Sequence, residues 1–307
     1  MDCIRVNFLK VKDSVMKKIC YFFCFFIFIS HVACAKINCI VSILPVKFFV
    51  DKIGGEYVNA HVLIPPGTNP TTYDPKPKDI IFIKKSEVYF KIGVPFERIW
   101  TKKIKNMNHN LKIIELYKNV KRIPMSNRYK DTEFNTTYAS EDFLDPHIWL
   151  SPTYVRFILL EIRDFFIQFD RKNKDYYLQN YFDLIKQINK LESDLIVLFS
   201  NVKTRYFLVF HPSWGYFARD FGLIQVPIEL EGKEPSFREV SSLISFARNK
   251  GIKVVFVQPQ FSKRIARIIA SKINGKIEEI DPLAYNWIDN LKNVGIKISE
   301  SLNTGRK

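Results

Sequence analysis

Cysteine is scarce in this chain of 307 residues. There are five, and four of them (Cys3, Cys20, Cys24 and Cys34) lie before residue 36. So few exclude a disulfide-stapled scaffold, and a mature chain retaining only Cys39 could form neither an internal disulfide nor a thiolate cluster for structural zinc. Cys39 sits in the apolar run KINCIVSIL and reads as a small buried hydrophobe. Histidine is equally sparse. Beyond residue 35 there are only His61, His109, His147 and His211. Long runs of one charge sign are absent too, although the net charge is +16 and the pI about 9.5. The lysines are scattered in a sequence also rich in isoleucine, asparagine, phenylalanine and tyrosine, and no RNA-binding aromatic signature accompanies them. A generally basic surface therefore fits better than a nucleic-acid footprint, and no nucleic-acid partner is expected. Hydrophobic residues at 47% and charged residues at 25% are globular values, which excludes disorder and low-complexity classes as the main description.

The N-terminus carries an address. In MKKICYFFCFFIFISHVACA (16–35), Lys17 and Lys18 precede the apolar stretch Ile19 to Ile29, and Ala33-Cys34-Ala35 offers a small-x-small cleavage site before Lys36. That stretch of eleven residues is short of the roughly 20 a spanning helix needs. Residues 1–35 are expected to be an upstream extension followed by a signal peptide, with Met16 as the start. Lipidation at Cys34 is the alternative, disfavoured by His31 at a position where an aliphatic residue is expected. Removing these residues takes away five basic and two acidic side chains and leaves a charge of +13.

Short apolar runs alternate with helical spacings along the rest. INCIVSIL (37–44), Tyr57 to Ile64 and Val88 to Ile92 read as strands, with helices at Val46 to Ile53 and from Asp79. Residues 118–144 read as a long polar surface loop containing the formal glycosylation triplet Asn135-Thr136-Thr137. Thr153 to Phe169 has helical spacing. Residues 174–200 contain no glycine or proline and place Tyr177, Tyr181, Leu184, Ile188, Leu191, Leu195 and Leu198 at three- and four-residue intervals. This predicts one helix about 40 Å long, a strut between two lobes. Strands at Tyr206 to Phe210, Val226 to Leu230, Lys253 to Val257 and Lys276 to Ile280 then alternate with helices at Trp214 to Asp220, Phe237 to Asn249, Ser262 to Ile273 and Trp287 to Ser301. The fold class is α/β: two lobes, each with a mainly parallel sheet flanked by helices. The expected domains are an N-terminal lobe at 36–170, a linker helix at 171–202 and a C-terminal lobe at 203–307.

Three residues stand at element ends where ligands of open α/β sheets bind. His147 lies in DPHIWLSP, His211 follows the strand YFLVF, and Asp281 follows KIEEI. Two imidazoles and a carboxylate suit a borderline divalent metal. The structural alternatives are satisfied polar residues, with Asp281 as a helix N-cap ahead of Pro282. His61, in the alternating strand YVNAHVLI, reads as a structural histidine, and His109 as an exposed one.

PPGTNPTTYDP, DPHIWLSP, the helix 174–200, FHPSWGYFARDFGL, EGKEPS, VVFVQPQFS and EIDPLA occur in that order. Together they resemble the zinc- and manganese-type solute-binding proteins of ATP-driven (ABC) metal importers, cluster A-I, across 37–305. The resemblance implies a rigid helix joining two α/β lobes, a metal ion in the cleft, and ligands at His147, His211 and Asp281. It favours Zn2+ over Mn2+ or Fe2+, because manganese-type members carry a glutamate where His211 stands. It implies a periplasmic or extracytoplasmic monomer, not an enzyme, that delivers its ion to an importer permease. One departure is clear. The family's first loop carries a histidine where Gly67-Thr68-Asn69-Pro70 is followed here by Thr71. Either water, Asp74 or Glu229 then completes the site, or the site is weak. Residues 118–144 also lack the histidine-rich loop of many zinc-type members. Two further readings follow from the open position: a metal-dependent hydrolase using Glu229, Glu231 or Glu234 as base, or a receptor for a metal chelate.

Overall fold

Eight short strands form two four-stranded parallel sheets in the computed structural model, which describes residues 36–125, 144–229 and 233–304. The leader with Cys34, the triplet at Asn135 and Glu231 lie outside the described residues. The first sheet contains β1 (Ile37–Val41), β2 (Val58–Val62), β3 (Val88–Lys91) and β4 (Lys112–Glu115), ordered β2-β1-β3-β4. The second contains β5 (Tyr206–Val209), β6 (Ile224–Pro227), β7 (Val254–Val257) and β8 (Lys276–Glu279), ordered β6-β5-β7-β8. The two orders are the same topology used twice. In each, the chain moves outward one way, returns, and leaves on the other side. That puts a switch point between β1 and β3 and another between β5 and β7, and ligands of open parallel sheets bind beyond such points.

Helices supply the layers. In α1 (Leu44–Gly54), Pro45 fills the first turn and Val46, Phe49, Val50 and Ile53 form a buried stripe. It ends where Gly55 turns with φ +53, a position at which a Cβ would strike the Tyr176 hydroxyl at 2.1 Å. The next two helices are α2 (Pro77–Lys85) and α3 (Pro95–Met107). In α4 (Pro152–Phe169), Ser151 caps the first turn by accepting from Tyr154 N. The long helix is α5 (Lys174–Phe199), 26 residues and about 39 Å. Its buried stripe of Tyr177, Tyr181, Leu184, Ile188, Leu191, Leu195 and Phe199 follows the sequence spacing except at its end, where Phe199 rather than Leu198 is buried. The second lobe adds α6 (Gly215–Asp220), α7 (Phe237–Asn249), α8 (Arg264–Lys272) and α9 (Trp287–Asn303). α7 opens with a capping box, Ser236 and Glu239 exchanging hydrogen bonds.

Sequence reading placed no element between residues 93 and 117, where the structure has α3 and β4. The apolar signal there is thin. α3 buries only Phe96, Glu97 and Ile104, and β4 is a four-residue strand with no fully buried residue. The remaining elements match within a few residues.

α5 packs on α1, α4 and α9. Asn180 Nδ2 donates to Ile53 O at 3.0 Å, and Gly295 on α9 lies so close that a Cβ there would meet Leu195 Cδ2 at 2.2 Å. One buried apolar cluster runs from the first sheet through α4 and α5 to one face of the second sheet. A second cluster covers the other face of the second sheet, under α7 and α8. From Ile37 onward the described residues group as one compact unit. Two tryptophans join the lobes by hydrogen bonds. Trp149 Nε1 donates to Pro282 O at 2.7 Å, and Trp287 Nε1 donates to Trp149 O at 2.6 Å.

Candidate metal centre

His211 is the first residue but one beyond β5, at the switch point of the second sheet. Gln258, just beyond β7, pins its backbone. His211 N donates to Gln258 Oε1 at 3.1 Å and Gln258 Nε2 donates to His211 O at 2.7 Å. The ring stacks on Phe261 with centroids 4.6 Å apart. Its Nδ1 faces the buried Glu229 carboxylate, with both oxygens at 3.2 and 3.3 Å.

His147 arrives from the N-terminal side, at the turn before α4. Asp145, fully buried, holds it twice: His147 N donates to Asp145 Oδ1 at 2.9 Å, and His147 Nδ1 lies 2.7 Å from the same oxygen. Tyr216 of the second lobe donates its hydroxyl to Asp145 O at 2.9 Å and accepts from Ile123 N at 3.0 Å. His147 is itself 8% exposed. Burial lowers its proton affinity below the ordinary 6.5, outweighing the opposite pull of Asp145.

The two imidazoles thus meet at the junction of the lobes, ring centroids 5.3 Å apart and inclined at 71°. Each spends Nδ1 on a buried carboxylate. That arrangement fixes a tautomer with Nε2 unprotonated and available as a metal donor, with a carboxylate behind each ligand. Sequence reading named both histidines but assigned Asp145 no role, although DPH places a carboxylate two residues before the imidazole. Gln258 and Tyr216 carry no local sequence signal, because their partners are distant along the chain.

Of the other expected residues, Glu229 is brought against this pair, at His211 Nδ1, whereas Asp281, Thr71 and Asp74 are not. Asp281 follows β8, and β7 lies between β8 and β5, so its strand end is about two interstrand spacings (~10 Å) from that of His211. Asp281 Oδ1 accepts from Gln260 Nε2 and from Leu283 N, each at 2.9 Å. The second of these closes a turn over Pro282. Asp281 is therefore not a helix cap, since α9 begins only at Trp287. Thr71 and Asp74 are exposed in the first loop, where Asn69 Oδ1 accepts from Thr71 N at 2.9 Å. Among the described residues, no group of three or more His, Cys, Asp or Glu side chains is gathered closely enough to hold a metal ion. Glu234 pairs with Arg264 at 3.2 Å on the surface. His61 is bonded to buried Asp79 at 2.8 Å, a structural role, and His109 is exposed.

Two parallel sheets of one topology, backed by a single long helix with paired imidazoles at their junction, define a two-lobed solute-binding protein. The chain belongs to the periplasmic family of zinc-uptake complex component A, ZnuA, whose profile matches residues 39–300. A solved ZnuA structure superimposes with a TM-score of 0.80 at 37% identity, covering 87% of this chain and 99% of that one. A ZnuA deletion mutant with zinc bound gives the same TM-score and identity, covering 89% and 100%. The high-affinity zinc uptake system protein ZnuA of Bacillus subtilis is 25% identical over 253 residues, 81% of this chain and 79% of its own length.

Proposed function

We propose that the chain captures one zinc ion on His147 and His211 outside the cytoplasmic membrane and delivers it to the permease of an ATP-driven importer. The observation that carries this reading is the paired geometry: two imidazoles 5.3 Å apart, each with Nδ1 turned to a carboxylate. Burial supports it, because a histidine resistant to protonation stays competent to ligate. Asp145 supports it as well. Its Oδ2 is buried without a hydrogen-bond partner, and such a half-satisfied carboxylate is costly unless a cation lies nearby. A dication on His147 Nε2 would offset that cost through the ring.

Nitrogen donors favour zinc over manganese, which prefers oxygen. In this reading Asp281 supplies a carboxylate after a small movement of the β8 end, and water takes the position facing Thr71. The strut at 171–202 divides the chain into a lobe at 36–170 and a lobe at 203–307. The continuous core and the two tryptophan bonds favour small shifts between them over wide closure. The protein acts as a receptor, with no substrate turned over. It is exported by the leader at 16–35, works as a monomer, and meets the membrane at the importer or through a lipid at Cys34.

A chelate reading draws on one observation. Thr71 is exposed and offers only a neutral hydroxyl where the family resemblance implies a histidine, so a ligand bringing its own donors would fit the open side. Metal analysis after equilibrium dialysis of residues 36–307 against zinc, manganese or iron(II) separates the readings. The proposal expects one zinc per chain and little manganese. Retention of zinc only when a chelator is present would replace the free ion with a complex, and retention of no metal would overturn both readings.

A further inference from the structure

The N-terminal lobe carries one surface pattern that metal capture does not use. On α2, Ile81 is followed at three and four residues by Lys84 and Lys85. On α3, Ile99 is followed at the same spacing by Lys102 and Lys103. Residues three and four apart share one side of a helix, so each isoleucine sits between two lysines. Both isoleucines face solvent, at 57% and 56% exposure. Phe82 adds exposed aromatic surface beside Ile81, held by stacking on His61 at 3.9 Å. On α3, Lys103 Nζ lies 4.2 Å from the centre of the Trp100 ring.

The two patterns belong to one face. β1 to β2 steps one way across the sheet, while β2 to β3 and β3 to β4 step the other. Right-handed crossovers therefore place α1 on one side and both α2 and α3 on the other, away from the strut. α2 and α3 pack together. At their ends, Asn108 Nδ2 donates to Ile83 O at 2.9 Å and to Ser86 O at 2.8 Å.

Charge on this face has a single sign. The only acidic residues of the two helices are Asp79 and Glu97, and both are buried and bonded inward. Asp79 accepts from Lys76 N at 2.8 Å and from Tyr73 Oη at 3.0 Å, and it lies 2.8 Å from His61 Nε2. Glu97 accepts from Ser42 Oγ, Ile92 N and Gly93 N. Lys78, Lys84, Lys85, Lys102 and Lys103 form no ion pair among the described residues. The exposed apolar residues of α5 differ. Phe182, Ile196 and Val197 lie among charges of both signs, such as the Lys190–Asp194 pair.

We infer that the α2–α3 face docks on an anionic phospholipid surface. Long lysines can reach lipid phosphates while the isoleucines and Phe82 enter the headgroup boundary, the division of labour of basic amphipathic helices lying in a membrane interface. The charge favours this occupant: an apolar centre ringed by cations alone complements a surface of like anions. Docking would hold the receptor by its N-terminal lobe on the leaflet where an importer opens.

The test is sedimentation of residues 36–307 with vesicles of phosphatidylcholine, with and without phosphatidylglycerol, at low and high salt. Binding is expected only with phosphatidylglycerol, falling as salt rises. Reversing the four lysines (Lys84→Glu, Lys85→Glu, Lys102→Glu, Lys103→Glu) should weaken it at least about tenfold. The pair Ile81→Ser and Ile99→Ser should weaken it severalfold with charge unchanged. A control reversing exposed Lys174, Lys186, Lys272 and Lys292 has the same net charge and should bind as the wild type. Melting curves and zinc content confirm that each variant is folded. Equal loss in both quadruple variants would assign the effect to overall charge and overturn the proposal, as would no binding by the wild type. Self-association abolished by the isoleucine pair, without vesicle binding, would make a second copy the occupant and overturn it too.

Discussion

Asp145 Oδ1 lies 2.7 Å from His147 Nδ1 and also accepts from His147 N, while its other oxygen is buried with no hydrogen-bond partner. The contact orients the ring and leaves Nε2 as its remaining donor atom. Asp145→Asn keeps the size of the side chain and removes its charge. Zinc affinity is expected to fall by about 10–100-fold, the usual cost of losing such an outer partner. Competition with a chromophoric chelator measures it. An unchanged affinity would reduce Asp145 to a structural hydrogen-bond acceptor.

Thr71 stands where the family resemblance implies a histidine, and it is exposed. Thr71→His is expected to raise zinc affinity at least about tenfold, or ~1.4 kcal/mol. The same competition assay reads the change. No gain would mean that the first loop does not face the ion.

Burial lowers the proton affinity of His147 below its ordinary 6.5. The unfolded chain then binds more protons than the native one between that depressed value and 6.5, so native stability falls as pH falls through the window and is complete above it. The melting temperature of the metal-free protein should drop on going from about pH 7 to about pH 5, and drop less in His147→Asn. Zinc affinity should fall over the same range, because a protonated imidazole cannot ligate. A wild-type melting profile no steeper than that of the variant would contradict this.

Gly295 lies against Leu195, where an added Cβ would come within 2.2 Å of Leu195 Cδ2. Gly295→Ala should destabilise the fold by about 1–3 kcal/mol through overpacking, read by denaturant unfolding. A neutral result would mean that α5 and α9 separate easily, which the strut does not allow.

The strut was legible because its apolar residues recur at three- and four-residue steps through 26 residues without a breaker. His147 and His211 were legible because each stands at the end of an element. α3 and β4 were not. The solvent side of α3 is filled by Arg98, Ile99, Lys102 and Lys103, which blurs the apolar stripe, and β4 is too short to alternate. The sequence around Asp281 fits either a ligand or a helix cap, and its bond to Gln260 depends on two loops that only the tertiary fold brings together. Gln258 was invisible for the same reason: its partner His211 is 47 residues away in sequence.

Calorimetric titration of zinc into residues 36–307, beside the double variant His147→Ala, His211→Ala, tests the central claim most directly. The account predicts one-to-one binding at micromolar or tighter affinity in the wild type and none in the double variant. Absence of binding in the wild type, or equal binding in both proteins, would contradict it.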